Sequence, residues 1–178
     1  GLAGRFRPDP TLMLRRFLED LSVRGYADAV DWLRRERPGA PCFVTVCGAA
    51  RGEACVLAWD VAGPPEIRRA DERTGILVQT NHYHDDSAAV RRNKRQLHEA
   101  PADGWFHTRL QRNSRQRAQA LHAALDALVH SGRTPDSAAL CELYRQPPVW
   151  NHETAHWVEL RPRHNQLRVW VHREDLAA

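Results

Sequence analysis

The spacing of apolar residues changes period several times along the chain, and each change marks an element. Leu14, Phe17, Leu18 and Leu21 fall at i, i+3, i+4 and i+7, one stripe of a helix over Leu12–Leu21 with Thr11 as its cap. Gly25 interrupts that pattern. Ala29, Val30 and Leu33 then share one side of a second helix, Tyr26–Arg35, which Pro38, Gly39 and Pro41 end. From there the period shortens. Cys42–Cys47 and Ala54–Asp60 read as two strands joined by a turn at Ala50–Glu53, a hairpin. After Gly63-Pro64-Pro65, Glu66–Ala70 reads as a short edge strand and Ile76–Thr80 as the next core strand. Three or four strands in succession favour an antiparallel meander.

Helical spacing returns downstream. Ala118, Leu121, Leu125, Leu128 and Val129 predict a long helix through Val129, capped by Asn113 or Ser114. Thr134 and Pro135 open a short helix to Tyr144, and Pro147-Pro148 stop it. Thr154–Leu160 and Gln166–His172 form a last hairpin around Arg161–Asn165. The order α-α, β-β-(β)-β, α-α, β-β predicts an α+β fold with mostly antiparallel sheets. No internal repeat or low-complexity segment interrupts it.

The stretch Gly75–Asp86 is where the pattern carries chemistry. Its apolar half, Ile76-Leu77-Val78, would deliver Asn81, His82 and Tyr83 at the end of a buried strand, which places polar groups on a rigid element. Asn and Asp also suit an ordinary polar turn.

Composition narrows the class. With 178 residues, 42% of them hydrophobic and 27% charged, the chain suits a single domain spanning residues 1–178 with a sizeable core. A net charge of +4, evenly spread, does not point to a nucleic-acid partner. Only Lys94 among the 26 basic residues is a lysine, a bias expected of a GC-rich, bacterial genome. The run Arg91-Arg92-Asn93-Lys94-Arg95 reads first as a solvated face and second as a contact for an acidic ligand. Cys42, Cys47 and Cys55 sit in apolar strands and read as buried, inert thiols. With Cys141 they form no Cys-x-x-Cys pair, so reduced cysteines in the cytoplasm are expected. No apolar run approaches membrane length and no signal peptide is legible.

Two clusters raise the question of metal. His152-Glu153-Thr154-Ala155-His156 matches the zinc-peptidase pattern H-E-x-x-H, which needs a helix. Here prolines precede it and a strand follows. On a strand the two histidines stand about 13 Å apart, too far to chelate one ion. His82, His84, Asp85 and Asp86 are suitable ligand types without a further partner in the sequence. No metal or cofactor is therefore expected. No Gly-x-Ser-x-Gly elbow offers a serine nucleophile.

Asp60, then Gly75-Ile76-Leu77-Val78-Gln79-Thr80-Asn81-His82-Tyr83, then Asn113-Ser114-Arg115-Gln116-Arg117 ahead of a helix, then a final hairpin, together resemble the penicillin acyltransferase-like N-terminal nucleophile hydrolases. That family is akin to acid ceramidase and N-acylethanolamine amidase. The likeness runs from about Thr11 to His172 and includes the helix Ala27–Leu33 and the hairpin Pro41–Asp60. It implies an αββα sandwich and autoproteolysis that frees a Cys as nucleophile and α-amine base. It further implies Asn81 as oxyanion donor and Arg115 as polar anchor, with His82, Tyr83 and Arg117 lining a pocket for a small-molecule amide or acyl donor. No cysteine of this chain matches the family's nucleophile. The expectation is thus the larger C-terminal portion of a catalytic unit, inactive alone, whose Cys comes from an N-terminal fragment or subunit. A missing layer would bare apolar surface, so a hetero- or homo-oligomer is expected. The alternative is a non-catalytic binding or scaffold domain on the same fold.

Overall fold

The computed structural model describes residues 7–60, 63–83, 87, 90, 104–132, 135–150 and 156–171. Helices and antiparallel sheets mix in an α+β architecture, with one three-stranded and one two-stranded sheet among the described residues. The chain divides into two compact units, residues 1–77 with 85–91, and residues 78–84 with 92–178.

The first unit begins with helix α1, Pro10–Glu19. Asp9, not Thr11, caps it, accepting the Thr11 amide at 2.8 Å, because Pro10 takes the first helical position, where its missing N–H costs nothing. The expected stripe is also rotated. Met13 is fully buried and Leu14 and Phe17 pack beside it, whereas Leu18 and Leu21 are 79% and 82% exposed. At about 100° per residue Leu18 lies roughly 140° round from Met13, off the buried arc. Leu21 lies beyond the helix end.

Helix α2, Tyr26–Arg35, buries Ala29, Val30, Trp32 and Leu33. Strands β1 (Cys42–Cys47), β2 (Ala54–Trp59) and β3 (Glu66–Arg69) pair in that order, all antiparallel, with Val44 opposite Leu57 and Leu57 opposite Ile67. β2 is central, and Cys55, Val56, Leu57 and Trp59 are all buried. This is why its sequence is continuously apolar rather than alternating. One face of β2 (Cys55, Leu57, Trp59) forms the core with Met13, Val30, Trp32 and Leu33. The two tryptophans bring polar N–H groups into that core, and both are satisfied: Trp32 Nε1 donates to Asp20 at 2.7 Å and Trp59 Nε1 to the Glu36 carbonyl at 3.2 Å. The thiols differ from expectation. Cys55 is buried, Cys42 is half-buried and pushed up by desolvation, but Cys47 is exposed at the end of β1.

The β1–β2 turn requires glycine. The Glu53 side chain folds over it to accept the Ala50 amide at 2.8 Å, so a Cβ on Gly48 would sit 2.2 Å from the Glu53 carboxylate.

Residues Ile76–Thr80 are not a strand. After β3 the Asp71 carboxylate accepts the amides of Arg73 and Thr74, and Gly75, at φ +72°, closes a turn in which the Asp71 amide donates to the Ile76 carbonyl at 3.1 Å. Beyond Leu77 the backbone belongs to the second unit. There the Gln79 side chain occupies the Thr80 and His82 carbonyls, at 2.5 and 2.8 Å, a local substitute for a ladder.

The second unit is built on helix α3, Gly104–His130. Asn113 and Ser114 therefore lie inside it and cap nothing; a serine is tolerated in a helix interior when its hydroxyl has a partner, as here. Helix α4, Ser137–Tyr144, starts later than expected, because Asp136 supplies the cap and accepts the Ala139 amide at 2.8 Å. Pro135 stands just ahead of it, and Thr134 lies outside the described residues. β4 (His156–Arg161) and β5 (Gln166–Val171) pair antiparallel around a short 3-10 turn closed by Asn165 in the left-handed region. Trp157 stacks on its cross-strand partner Trp170 at 5.6 Å and meets Trp150 edge-on. On the same face Glu159 accepts from Ser137 at 2.8 Å and Arg161 at 2.6 Å, tying the hairpin to the start of α4. The other face carries Val158, Leu160, Leu167 and Val169, between 47% and 64% exposed.

Candidate functional site

Residues 79–83 form a compact loop held by side-chain hydrogen bonds within the second unit. Thr80 is buried and its hydroxyl donates to the Ser114 carbonyl at 3.0 Å. The same oxygen lies 3.0 Å from His82 Nδ1, and Nδ1 lies 2.9 Å from the Ser114 hydroxyl. Ser114 is fully buried in α3. Residues 80 and 82, on either side of Asn81, are thus pinned to one point of the helix. Asn81 itself is exposed and Tyr83 is half-buried.

Helical spacing sorts the expected arginines. Arg117 is three residues from Ser114 and lies on the same side of α3, half-buried, its Nε buried without a hydrogen-bond partner among the described residues. Arg115 is exposed and about 100° round the helix. The fold therefore brings His82 to Ser114, with Arg117 one turn further along that side, and directs Arg115 elsewhere. Thr80, Gln79 and Ser114 were not legible as site residues. The signal lay in a buried hydroxyl opposite a histidine 32 residues away, which no local spacing reveals.

The His82–Ser114 distance is that of a nucleophile and its base, but the chemistry does not follow. Ser114 has no exposure through which an acyl group could reach it. Thr80 commits its single proton to the Ser114 carbonyl, which can only accept. The trio is an anchoring network.

Two cavities lie elsewhere in this unit. One, about 640 Å³, runs between α3 and α4 along Ala120, Ala124, Ala127, Ala139 and Leu143. Another, about 200 Å³, sits between α4 and the hairpin, lined by Cys141, Tyr144, Trp157 and Trp170 among others. Neither includes Asn81, His82 or Tyr83 in its lining. Burial holds the Tyr144 hydroxyl above its ordinary range.

Of the metal motifs, His84, Asp85, Asp86, His152 and Glu153 lie outside the described residues, while His156 opens β4 on extended backbone. Among the described residues no three His, Cys, Asp or Glu side chains converge as metal ligands, and no helix is long and apolar enough to cross a membrane. No protein-family model matches the chain, and comparison with curated proteins finds no significant relative.

Proposed function

We propose that this chain contributes the larger part of an amide hydrolase or acyltransferase of the N-terminal nucleophile type, an αββα sandwich whose attacking cysteine is supplied by residues outside this sequence. The observation that carries the reading is Asn81: exposed, yet set between two residues hydrogen-bonded to α3. A tetrahedral intermediate needs a donor already in place as negative charge develops, and hydrogen bonds at residues 80 and 82 fix the backbone from which the Asn81 amide projects. Arg117, with its buried Nε, is better placed than Arg115 to hold a substrate carboxylate beside it. The aliphatic face of β4–β5 supports the need for further chain, since a sandwich layer or partner would cover it.

The test is Asn81→Ala in the complete protein, nucleophile included, assayed on a panel of simple amides and acyl donors. Removing an oxyanion donor costs about 10²–10³ in kcat. A loss below tenfold removes Asn81 from the chemistry. The same bare face favours a second reading, a non-catalytic domain that binds a protein partner through the hairpin. It is distinguished by absence of turnover in the complete protein together with loss of partner binding when Leu160 and Leu167 are changed to lysine.

A further inference from the structure

We infer that the cavity between α4 and the β4–β5 hairpin is a second binding site, for a small neutral aromatic compound that carries a carbonyl or similar hydrogen-bond acceptor. Its volume, about 200 Å³, sets the size of the ligand. A cavity of about 150 Å³ admits a benzene ring, whereas larger ligands occupy about 300 Å³ or more, so one ring with a small substituent fits. The walls set its shape. Trp157 and Trp170, stacked 5.6 Å apart and 15° from parallel, line the cavity with Tyr144, and aromatic walls favour a further aromatic ring by stacked or edge-on contact. Tyr144 and Leu160, also in the lining, are exposed, which gives a ligand a way in from solvent.

The charges around the cavity are already matched. Glu159 is the one charged side chain in the lining, and it accepts from Arg161 Nε at 2.6 Å and the Ser137 hydroxyl at 2.8 Å, with Arg168 at 4.0 Å. Arg145, over the Trp157 ring at 5.6 Å, pairs with Glu142 at 3.1 Å. An ion entering here would give up its hydration without gaining a partner, so the ligand is neutral. The acceptor follows from the donors. Trp157 Nε1 is buried and has no hydrogen-bond partner among the described residues. A buried donor left without an acceptor is costly, and burial shuts out bulk water, so the acceptor has to come from a group packed against the indole. Burial also keeps the Tyr144 hydroxyl protonated, a second donor in the same wall. None of Asn81, His82 and Arg117 lines this cavity, so the site stands apart from the proposed amide chemistry.

The probes are acetophenone, which has the ring and the acceptor, and toluene, which has the ring alone. Each is titrated into the full chain while the indole N–H signals of its 6 tryptophans are followed by ¹H–¹⁵N correlation, with Trp157 assigned by its loss in Trp157→Phe. Acetophenone should saturate with a Kd of about 1 mM or tighter, as expected of a one-ring ligand, and move the Trp157 N–H downfield. Toluene should bind about two- to tenfold more weakly, the worth of a hydrogen bond, without the downfield move. Tyr144→Phe keeps the ring and should weaken acetophenone by about two- to tenfold while leaving toluene unchanged. Cys141→Phe fills the cavity and should abolish the binding of both. The proposal is overturned if acetophenone does not saturate the Trp157 signal, if toluene binds as tightly as acetophenone, or if a folded Cys141→Phe still binds. Should Cys141→Phe not fold, the two probes on the wild-type chain decide the matter by themselves.

Discussion

The rotated face of α1 offers a direct measurement of what holds the first unit together. Periodicity places Leu18 on the apolar stripe and leaves Met13 off it; the fold does the reverse. Met13 has no exposed surface and touches the cluster of Val30, Leu33, Leu57 and Trp59, whereas Leu18 is 79% exposed. Met13→Ala deletes a fully buried thioether chain and leaves a cavity walled by side chains from a helix and a strand that cannot both collapse inward. Such truncations cost about 2–5 kcal/mol. Leu18→Ala removes a side chain already in water and should change stability by no more than about 0.5 kcal/mol. With a urea slope of about 1–3 kcal/mol/M, a 3 kcal/mol loss moves the midpoint down by about 1–3 M. Urea titration followed by tryptophan fluorescence reads this through Trp32, whose ring lies 5.5 Å from Phe17. A Leu18→Ala loss equal to or greater than that of Met13→Ala would refute the packing described here.

Three further outcomes follow from particular contacts. Glu159 has its carboxyl held below the usual range, chiefly by the Arg161 hydrogen bond and then by Ser137. Its contribution is complete above the ordinary glutamate value and is lost as pH falls through the lowered one; acid unfolding monitored by Trp157 and Trp170 fluorescence should lose that component in Glu159→Gln. Gly75→Ala places a Cβ at φ +72° and should cost about 1–2 kcal/mol by thermal melt, although nothing crowds the site. Asp136→Ala removes the α4 cap and should cost about 1 kcal/mol, with Asp136→Asn recovering most of it.

Much of the architecture was readable from local pattern. α2 and β1 stand where the spacing puts them, and β2 and β3 each differ from the expected strand by a single terminal residue. These elements announce themselves because each carries its own period and is bounded by proline or glycine. The misreadings share one cause. Ile76-Leu77-Val78 looks like a strand, but a strand exists only with a neighbour to bond, and after the turn at Asp71–Gly75 the chain returns to the Asp71 amide through the Ile76 carbonyl with no ladder beyond it. Leu18 looks buried, but which arc of a helix faces inward depends on what packs against it. Asn113 and Ser114 look like caps, but Ser114 lies inside a longer helix and engages His82 instead.

The candidate site divides in the same way. That Asn81, His82 and Tyr83 follow an apolar run, and that arginines cluster after Ser114, is written in the chain itself. Which arginine shares the face of Ser114 and which hydroxyls meet His82 were decided only when residues 32 and 34 positions apart met. Local propensity acts over a few residues at a time. A hydrogen bond between distant side chains forms only after the backbone has brought them together, so its partners cannot be read from the spacing of either.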